Sequence, residues 1–327
     1  MKHRVRQNFS LALVALLSLA AGCSERAGET ADHAEPLVLG FSQVVAEANW
    51  HAANTESIRK AANEAGIGLQ LENAFRRQEN QVAALRSFVN QRVDVIAFTP
   101  VVENGWEAVL REIRSAGIPV ILMDRAVEVS DESLYASLIG SDFVEEGRRA
   151  GRWLLEHTAE SSGEIGIVEL QGTVGSAPAN DRKQGFAEVI AADSRYRIIR
   201  SQSGDFDRTR ARELMTEFLQ TEGRRIRVVF AHSDTMAFGA IEAIEAAGKV
   251  PGKDIKIVTI DAVKDGMQAL ADGKINFIVE CSPLLGNQLV EIVEKVVAGE
   301  DVEKRIITEE TTFTQEQAIE ALPDRKY

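Results

Sequence analysis

From Leu37 onward the chain alternates short apolar runs with amphipathic segments. Leu37 to Phe41, Leu69 to Leu71, Val93 to Phe98 and Val120 to Met123 read as strands. Helical spacing fills the intervals: Trp50 to Ala65, ended by Gly66; Glu79 to Asn90, with Val82, Leu85 and Val89 on one face; and Trp106 to Ser115, ended by Gly117. The run Ile118 to Met123 is apolar without alternation, as in a strand buried on both faces of a parallel sheet. Each crossover is long enough to hold a helix, which implies parallel strands in right-handed units. After a shorter run, Leu134 to Ile139, the pattern restarts. Asp142 caps a helix reaching His157. Strands follow at Ile165 to Leu170, Arg197 to Arg200, Val228 to Ala231, Ile255 to Ile260 and Ile275 to Val279, with helices at Asn180 to Ala192, Arg208 to Leu219, Met236 to Ala247 and Val263 to Leu270. A helix from Leu285 to Ala298, an extended segment from Arg305 to Thr311 and a charged, polar end complete the chain. The expected fold class is α/β, with two doubly wound parallel-sheet lobes joined by a hinge near Gly140 to Asp142.

Ligands of open α/β sheets sit outside the carboxyl ends of the strands, so the residues just after each strand carry the candidate chemistry. They are Ser42-Gln43, Asn73, Thr99-Pro100, Asp124-Arg125, Gln171-Gly172-Thr173, Asp205-Phe206, His232-Ser233-Asp234 and Asp261. Loop starts and helix caps are polar in any protein, and Asp124-Arg125 could be a surface ion pair. Charged and amide groups nevertheless recur in both halves. Two such edges facing each other would form a cleft suited to a neutral, polyhydroxylated ligand. Asp124 and Asp261 would accept from hydroxyls, while Arg125 and Arg182 present fixed forks of donors. Trp50 could pack its face on the apolar side of a sugar ring, or serve as a core or capping aromatic; Phe206 offers a weaker version of the same choice.

At 327 residues the chain has room for about two domains. Its formal charge of −13 opposes binding to nucleic acid, whose phosphates demand a basic surface. The amino terminus places Lys2, Arg4 and Arg6 before an apolar run from Leu11 to Ala21, too short to span a bilayer as a helix, which takes about 20 residues, but suited to a signal peptide. Leu19-Ala20-Ala21-Gly22-Cys23 resembles a bacterial lipobox, departing from it at Ala20, where leucine is usual. Lipidation of Cys23 and ordinary cleavage after Ala20 or Ala21 are the two outcomes. Residues 24–36 read as a flexible tether. The two cysteines, Cys23 and Cys281, make no disulfide framework if Cys23 carries lipid, and no cysteine and histidine cluster has zinc spacing. Glycine-rich phosphate loops, dinucleotide fingerprints and nucleophile elbows are missing from the sequence. His51 and His232 could act as bases, and Asp124 with Asp261 could serve a glycosidase, but no nucleophile or acid–base pair is evident. The expectation is a protein that is not an enzyme, with no cofactor and no metal.

Several segments carry a family likeness: Leu122-Met123-Asp124-Arg125, Val168 to Gly175, Asp181 to Phe186, Gln202 to Phe206 and Ile260-Asp261. From Leu37 to about Thr312 the chain resembles the periplasmic sugar-binding proteins of ABC importers, the ribose-binding type that shares its fold with LacI-type effector domains. Gly40 to Val44, Gln78 to Gln81, Thr99 to Val102 with Gly105-Trp106, and Ser133 to Tyr135 resemble its galactofuranose-binding members. The resemblance implies a type I periplasmic binding protein fold that captures a monosaccharide, galactofuranose or a related sugar, for a membrane ABC permease, with a chemoreceptor or two-component system as the alternative partner. It implies that Glu47, Asn49, Trp50 and His51 supply a stacking aromatic and polar neighbours, beside Ser42. It also implies that Asp124 and Arg125 grip hydroxyls from the first lobe, and Arg182, Ser233 and Asp261 from the second. Ser233 and His51 depart from the asparagine usual in the family and the arginine of galactofuranose binders. The domains expected are a signal peptide (1–22), a tether (23–36), an amino-terminal lobe (37–140 with about 282–311), a carboxy-terminal lobe (141–281) and an extension (312–327). A monomer in the periplasm or cell envelope is expected.

Overall fold

A computed structural model describes residues 36–45, 49–160 and 163–327. The first sheet takes β1 (Val38–Gln43), β2 (Gly68–Asn73), β3 (Val95–Phe98), β4 (Val120–Met123) and β5 (Ser137–Gly140), interleaved with helices α1 (Asn49–Glu64), α2 (Gln78–Gln91) and α3 (Glu107–Ser115). The chain then enters α4 (Phe143–His157), β6 (Ile165–Gln171), α5 (Ala177–Ile190), β7 (Tyr196–Ser203), α6 (Arg208–Glu222), β8 (Ile226–Ala231), α7 (Asp234–Ala246), β9 (Lys256–Asp261), α8 (Lys264–Ala271) and β10 (Phe277–Glu280). It ends with α9 (Gly286–Val297), β11 (Arg305–Ile307), β12 (Thr312–Phe313) and α10 (Gln315–Ala321). Sheet order is β11-β5-β4-β3-β1-β2 in one lobe and β12-β10-β9-β8-β6-β7 in the other. Every pairing is parallel except β10 with β12. The fold is therefore α/β with two doubly wound lobes.

Burial explains the strands that position the cleft. All four residues of β3 and all four of β4 are buried, as sheets covered by helices on both faces require. Asp142 caps α4 by accepting from the Glu145 amide at 2.9 Å. Helices α4 and α5 then cross at two glycines: a Cβ on Gly185 would lie 1.9 Å from the Val144 carbonyl oxygen, and one on Gly147 2.2 Å from that of Arg182. This close approach places Arg182 alongside Glu146.

The chain passes between the lobes three times, at 140–142, at Cys281-Ser282-Pro283 and at 308–311. Glu310 joins all three passages. Its carboxylate accepts from the Ser141 hydroxyl and, at 2.9 Å, from the Ser282 amide. Burial first, and then the Glu146 charge, push its carboxyl up to about 9. Residues 312–327, expected as an extension, add β12 and α10 to the second lobe, where α10 packs on α8. A capping box between Thr314 and Gln317 starts α10. The expected signal peptide, tether and lipidation site at Cys23 lie outside the described residues. No helix among the described residues is long and apolar enough to cross a membrane.

Candidate functional site

The carboxyl ends of the two sheets face each other, and a cavity lies between them. From the first lobe it is lined by Trp50, His51, Asp124 and Arg125; from the second, by Arg182, Phe206, Ser233 and Asp261. Sequence reasoning had singled out all eight.

On the first lobe, β4 runs out into Asp124, whose φ is +62°. A side chain rarely adopts this region, and the fold imposes it here because β5 presses against the turn. A Cβ on Gly140 would stand 2.6 Å from the Asp124 carbonyl oxygen, and the Asp124 amide donates to the Ile139 carbonyl at 2.7 Å. Arg125 is 4% exposed and pairs with Asp124 at 3.4 Å, but its Nε makes no hydrogen bond there, and its Nη1 reaches the Pro100 and Val101 carbonyls only at 3.4–3.5 Å. Burial lowers the Arg125 pKa, with Asp124 opposing, and raises that of Asp124, with Arg125 opposing. His51 meets the Trp50 ring edge-on at 5.3 Å, and both of its ring nitrogens are buried without a hydrogen-bond partner. Burial, then Arg125 and Arg76, hold its pKa down to about 3, so at neutral pH it is an uncharged group with one donor and one acceptor.

On the second lobe the groups are held more tightly. The Arg182 Nε donates to Glu146 at 2.7 Å and its Nη1 to the His232 carbonyl at 2.6 Å, while its guanidinium lies 5.0 Å above the Phe143 ring. Burial, the largest single influence, opposes its charge, but Glu146, Cys281 and Asp261 together outweigh it and its pKa is raised. Asp261 ends β9 with φ +124°, and its neighbour Ala262 has φ +64°. Its carboxylate accepts from the Asp234 amide at 3.3 Å, and burial, then the Asp234 charge, lift its pKa well above the usual range. Asp234 itself is pushed up to about 7, first by burial. Ser233 caps α7, accepting from the Met236 amide at 3.3 Å. Phe206 reaches over the cleft, 5.5 Å from the Arg125 guanidinium.

Four lining residues had no signal in the sequence: Phe143, Pro178, Thr235 and Cys281. The first three sit in the opening turns of α4, α5 and α7, where a pattern of strand ends does not look, and Cys281 belongs to the second passage between lobes. Of the other expected residues, Ser42 is buried behind the cavity, 3.3 Å from the Gln81 amide nitrogen. Asn49 is exposed at the start of α1, outside the lining, and Glu47 lies outside the described residues. Trp50 answers both of its readings. It lines the cavity, and it also packs in the second lobe's core and donates from its indole nitrogen to the Cys281 carbonyl at 2.7 Å.

The lobes meet across the cleft outside the cavity too, where the Glu103 amide donates to the Gly175 carbonyl at 2.9 Å and Arg76 pairs with Asp205 at 3.7 Å. A two-lobed α/β chain clasped around a polar cavity is the arrangement of a solute-capturing protein. The family model described as the periplasmic binding protein domain matches residues 39–301. The chain belongs to the periplasmic binding proteins. It is a substrate-binding protein and not an enzyme. It is 44% identical over 297 residues to the galactofuranose-binding protein YtfQ of Escherichia coli, covering 90% of this chain and 92% of that one. A Mycobacterium smegmatis protein solved in complex with β-D-fucofuranose is 55% identical, with a TM-score of 0.87 and coverage of 89% and 95%. The binding component of the arabinose ABC transporter of Shewanella sp. ANA-3, bound to α- and β-L-arabinofuranose, is 44% identical, with a TM-score of 0.85 and coverage of 88% and 95%.

One cluster in this periplasmic binding protein has the makings of a metal site. Glu146, Cys281 and Glu310 bring ligating atoms within 4.8 Å of one another. Arg182 already pairs with Glu146 at 2.7 Å, so a fixed cation occupies the electrostatic role that a metal ion would take.

Proposed function

We propose that the protein captures a furanose monosaccharide, galactofuranose or a close relative such as fucofuranose or arabinofuranose, and delivers it to an ABC permease. The observation that carries this reading is the convergence, from opposite lobes, of Asp124 with Arg125 and Asp261 with Arg182 on one small buried space. A hydroxyl both donates and accepts, so carboxyl and guanidinium groups facing each other across the cavity match a polyol ring. Neutral His51 and Ser233 extend the same match, and the Trp50 and Phe206 rings suit the apolar faces of a sugar. The relatives that bind galactofuranose, fucofuranose and arabinofuranose support the ring form. Capture works by hinge closure, since contacts to both lobes exist only when the lobes meet. Lipidation at Cys23 would tether the protein at the membrane near its permease.

A thermal-shift screen tests this. D-Galactose, D-fucose and L-arabinose, whose solutions contain furanose forms, and a galactofuranoside should raise the melting temperature, while D-glucose should not. At a hundred times the dissociation constant, the expected stabilisation is about 2.7 kcal/mol. Stabilisation by glucose and by none of the others would refute the furanose assignment.

A further inference from the structure

We infer that Arg325 and Tyr327, far from the cavity in sequence, are positioning residues that hold Asp261 in its ligand-facing conformation. The inference rests on the sugar-binding reading above, because it concerns how one wall of that cavity keeps its shape.

Asp261 and Ala262 are consecutive non-glycine residues at positive φ, +124° and +64°. Such a backbone persists only where its surroundings over-determine it. Strand β9 supports the residues before it and α8 those after it, and the turn between them is held from behind by the segment 325–327. The Arg325 Nε donates to the Ala262 carbonyl at 2.7 Å. The Lys264 amide, at the first residue of α8, donates to the Tyr327 carbonyl at 2.6 Å. The segment is itself fixed at a third point. The Arg325 Nη1 and the Tyr327 hydroxyl both donate to the Glu280 Oε1, at 2.7 and 2.8 Å, and the Arg325 guanidinium lies 4.0 Å from the Tyr327 ring. The Arg325 and Glu280 side chains are only 10% and 14% exposed, so this ion pair is shielded from water. Glu280 ends β10, next to Cys281 in the cavity wall, and its other carboxylate oxygen accepts from the Thr311 amide at 3.2 Å. One clamp therefore joins the Asp261 turn to two of the passages between the lobes. Glu280, Arg325 and Tyr327 do not line the cavity.

A binding cycle in the full-length protein separates positioning from general stability. Arg325→Ala should weaken sugar binding roughly tenfold, the loss of one well-placed charged contact to the ligand. In an Asp261→Ala background the same substitution should change affinity less than twofold, because the residue through which it acts is gone. An equal loss in both backgrounds, or none in the parent, would overturn the inference. Tyr327→Phe, which removes only the hydroxyl, covers the case in which Arg325→Ala does not fold, and should show the same dependence on Asp261 with a smaller loss. Amide hydrogen exchange in the ligand-free protein supplies a readout that needs no sugar. Both variants should speed exchange at Ala262 to Lys264 and leave β1 unchanged; uniform acceleration across both lobes, or none at the turn, would refute positioning. If the parent bound no furanose, the sugar assignment would fail, and the exchange result would still decide the role of the clamp.

Discussion

The two walls of the cleft are built differently. On the second lobe, Arg182 is committed on two sides, to Glu146 and to the His232 carbonyl, at 2.6–2.7 Å. On the first lobe, Arg125 makes only long contacts, its Nε has no hydrogen-bond partner, and His51 beside it has none at either nitrogen. On the proposed function, the pre-assembled wall would set geometry at little entropic cost when ligand arrives, and the loosely bonded wall would offer its donors to ligand hydroxyls. The same residue type thus does two jobs. On the proposed function, Arg182 would serve chiefly the fold and Arg125 chiefly recognition.

Substitutions that strike each wall sharpen this contrast. The largest effect should fall on the pre-assembled side. Arg182→Ala leaves Glu146 buried and unpaired, and should cost about 3–5 kcal/mol of folding stability in a denaturant titration. A loss of under 1 kcal/mol would remove the distinction between the walls. Next comes Asp124→Ala, which should weaken sugar binding by about 1.5–3 kcal/mol while leaving the circular dichroism spectrum unchanged. Unaltered affinity would take Asp124 out of the ligand's reach.

His51 yields a pH signature for the first wall. Its pKa falls from 6.5 in the unfolded chain to about 3 in the folded protein, so the unfolded chain takes up a proton that the folded one refuses. Stability is therefore lost as pH falls from 6.5 towards 3, at about 1.4 kcal/mol per unit from this group. The parent should lose stability more steeply than His51→Phe across that window, and parallel curves would contradict the assignment. The smallest effect expected is that of Ser233→Ala, about 1 kcal/mol of stability from the lost cap on α7, measured by the shift in denaturation midpoint.

The difference between the walls was not legible in the sequence, although eight of the residues lining them were. A run such as Val120 to Met123 declares a buried parallel strand, and the residue after such a strand is placed at the sheet edge by topology alone. This is why Asp124, Arg125, Ser233 and Asp261 could be named from the chain. Which arginine is committed depends on where α4 crosses α5, and that is decided by Gly147 and Gly185, which lie far apart in the sequence. Phe143, Pro178 and Thr235 were missed because they reach the cavity from opening helical turns. By charge and polarity the segment after Thr311 reads only as a polar end. The pair Thr314 and Gln317, a capping box, was the available sign of α10, but no local pattern could show that Arg325 folds back onto Ala262.

Whether both walls close on a furanose ring can be read from the bound sugar itself. The protein would be titrated with galactose carrying carbon-13 at the anomeric carbon, and the bound form observed by NMR. The expected result is a single bound furanose resonance, absent in the Asp124→Ala variant. A bound pyranose resonance, or a furanose signal indifferent to Asp124, would show that the walls do not close on a furanose ring in this way.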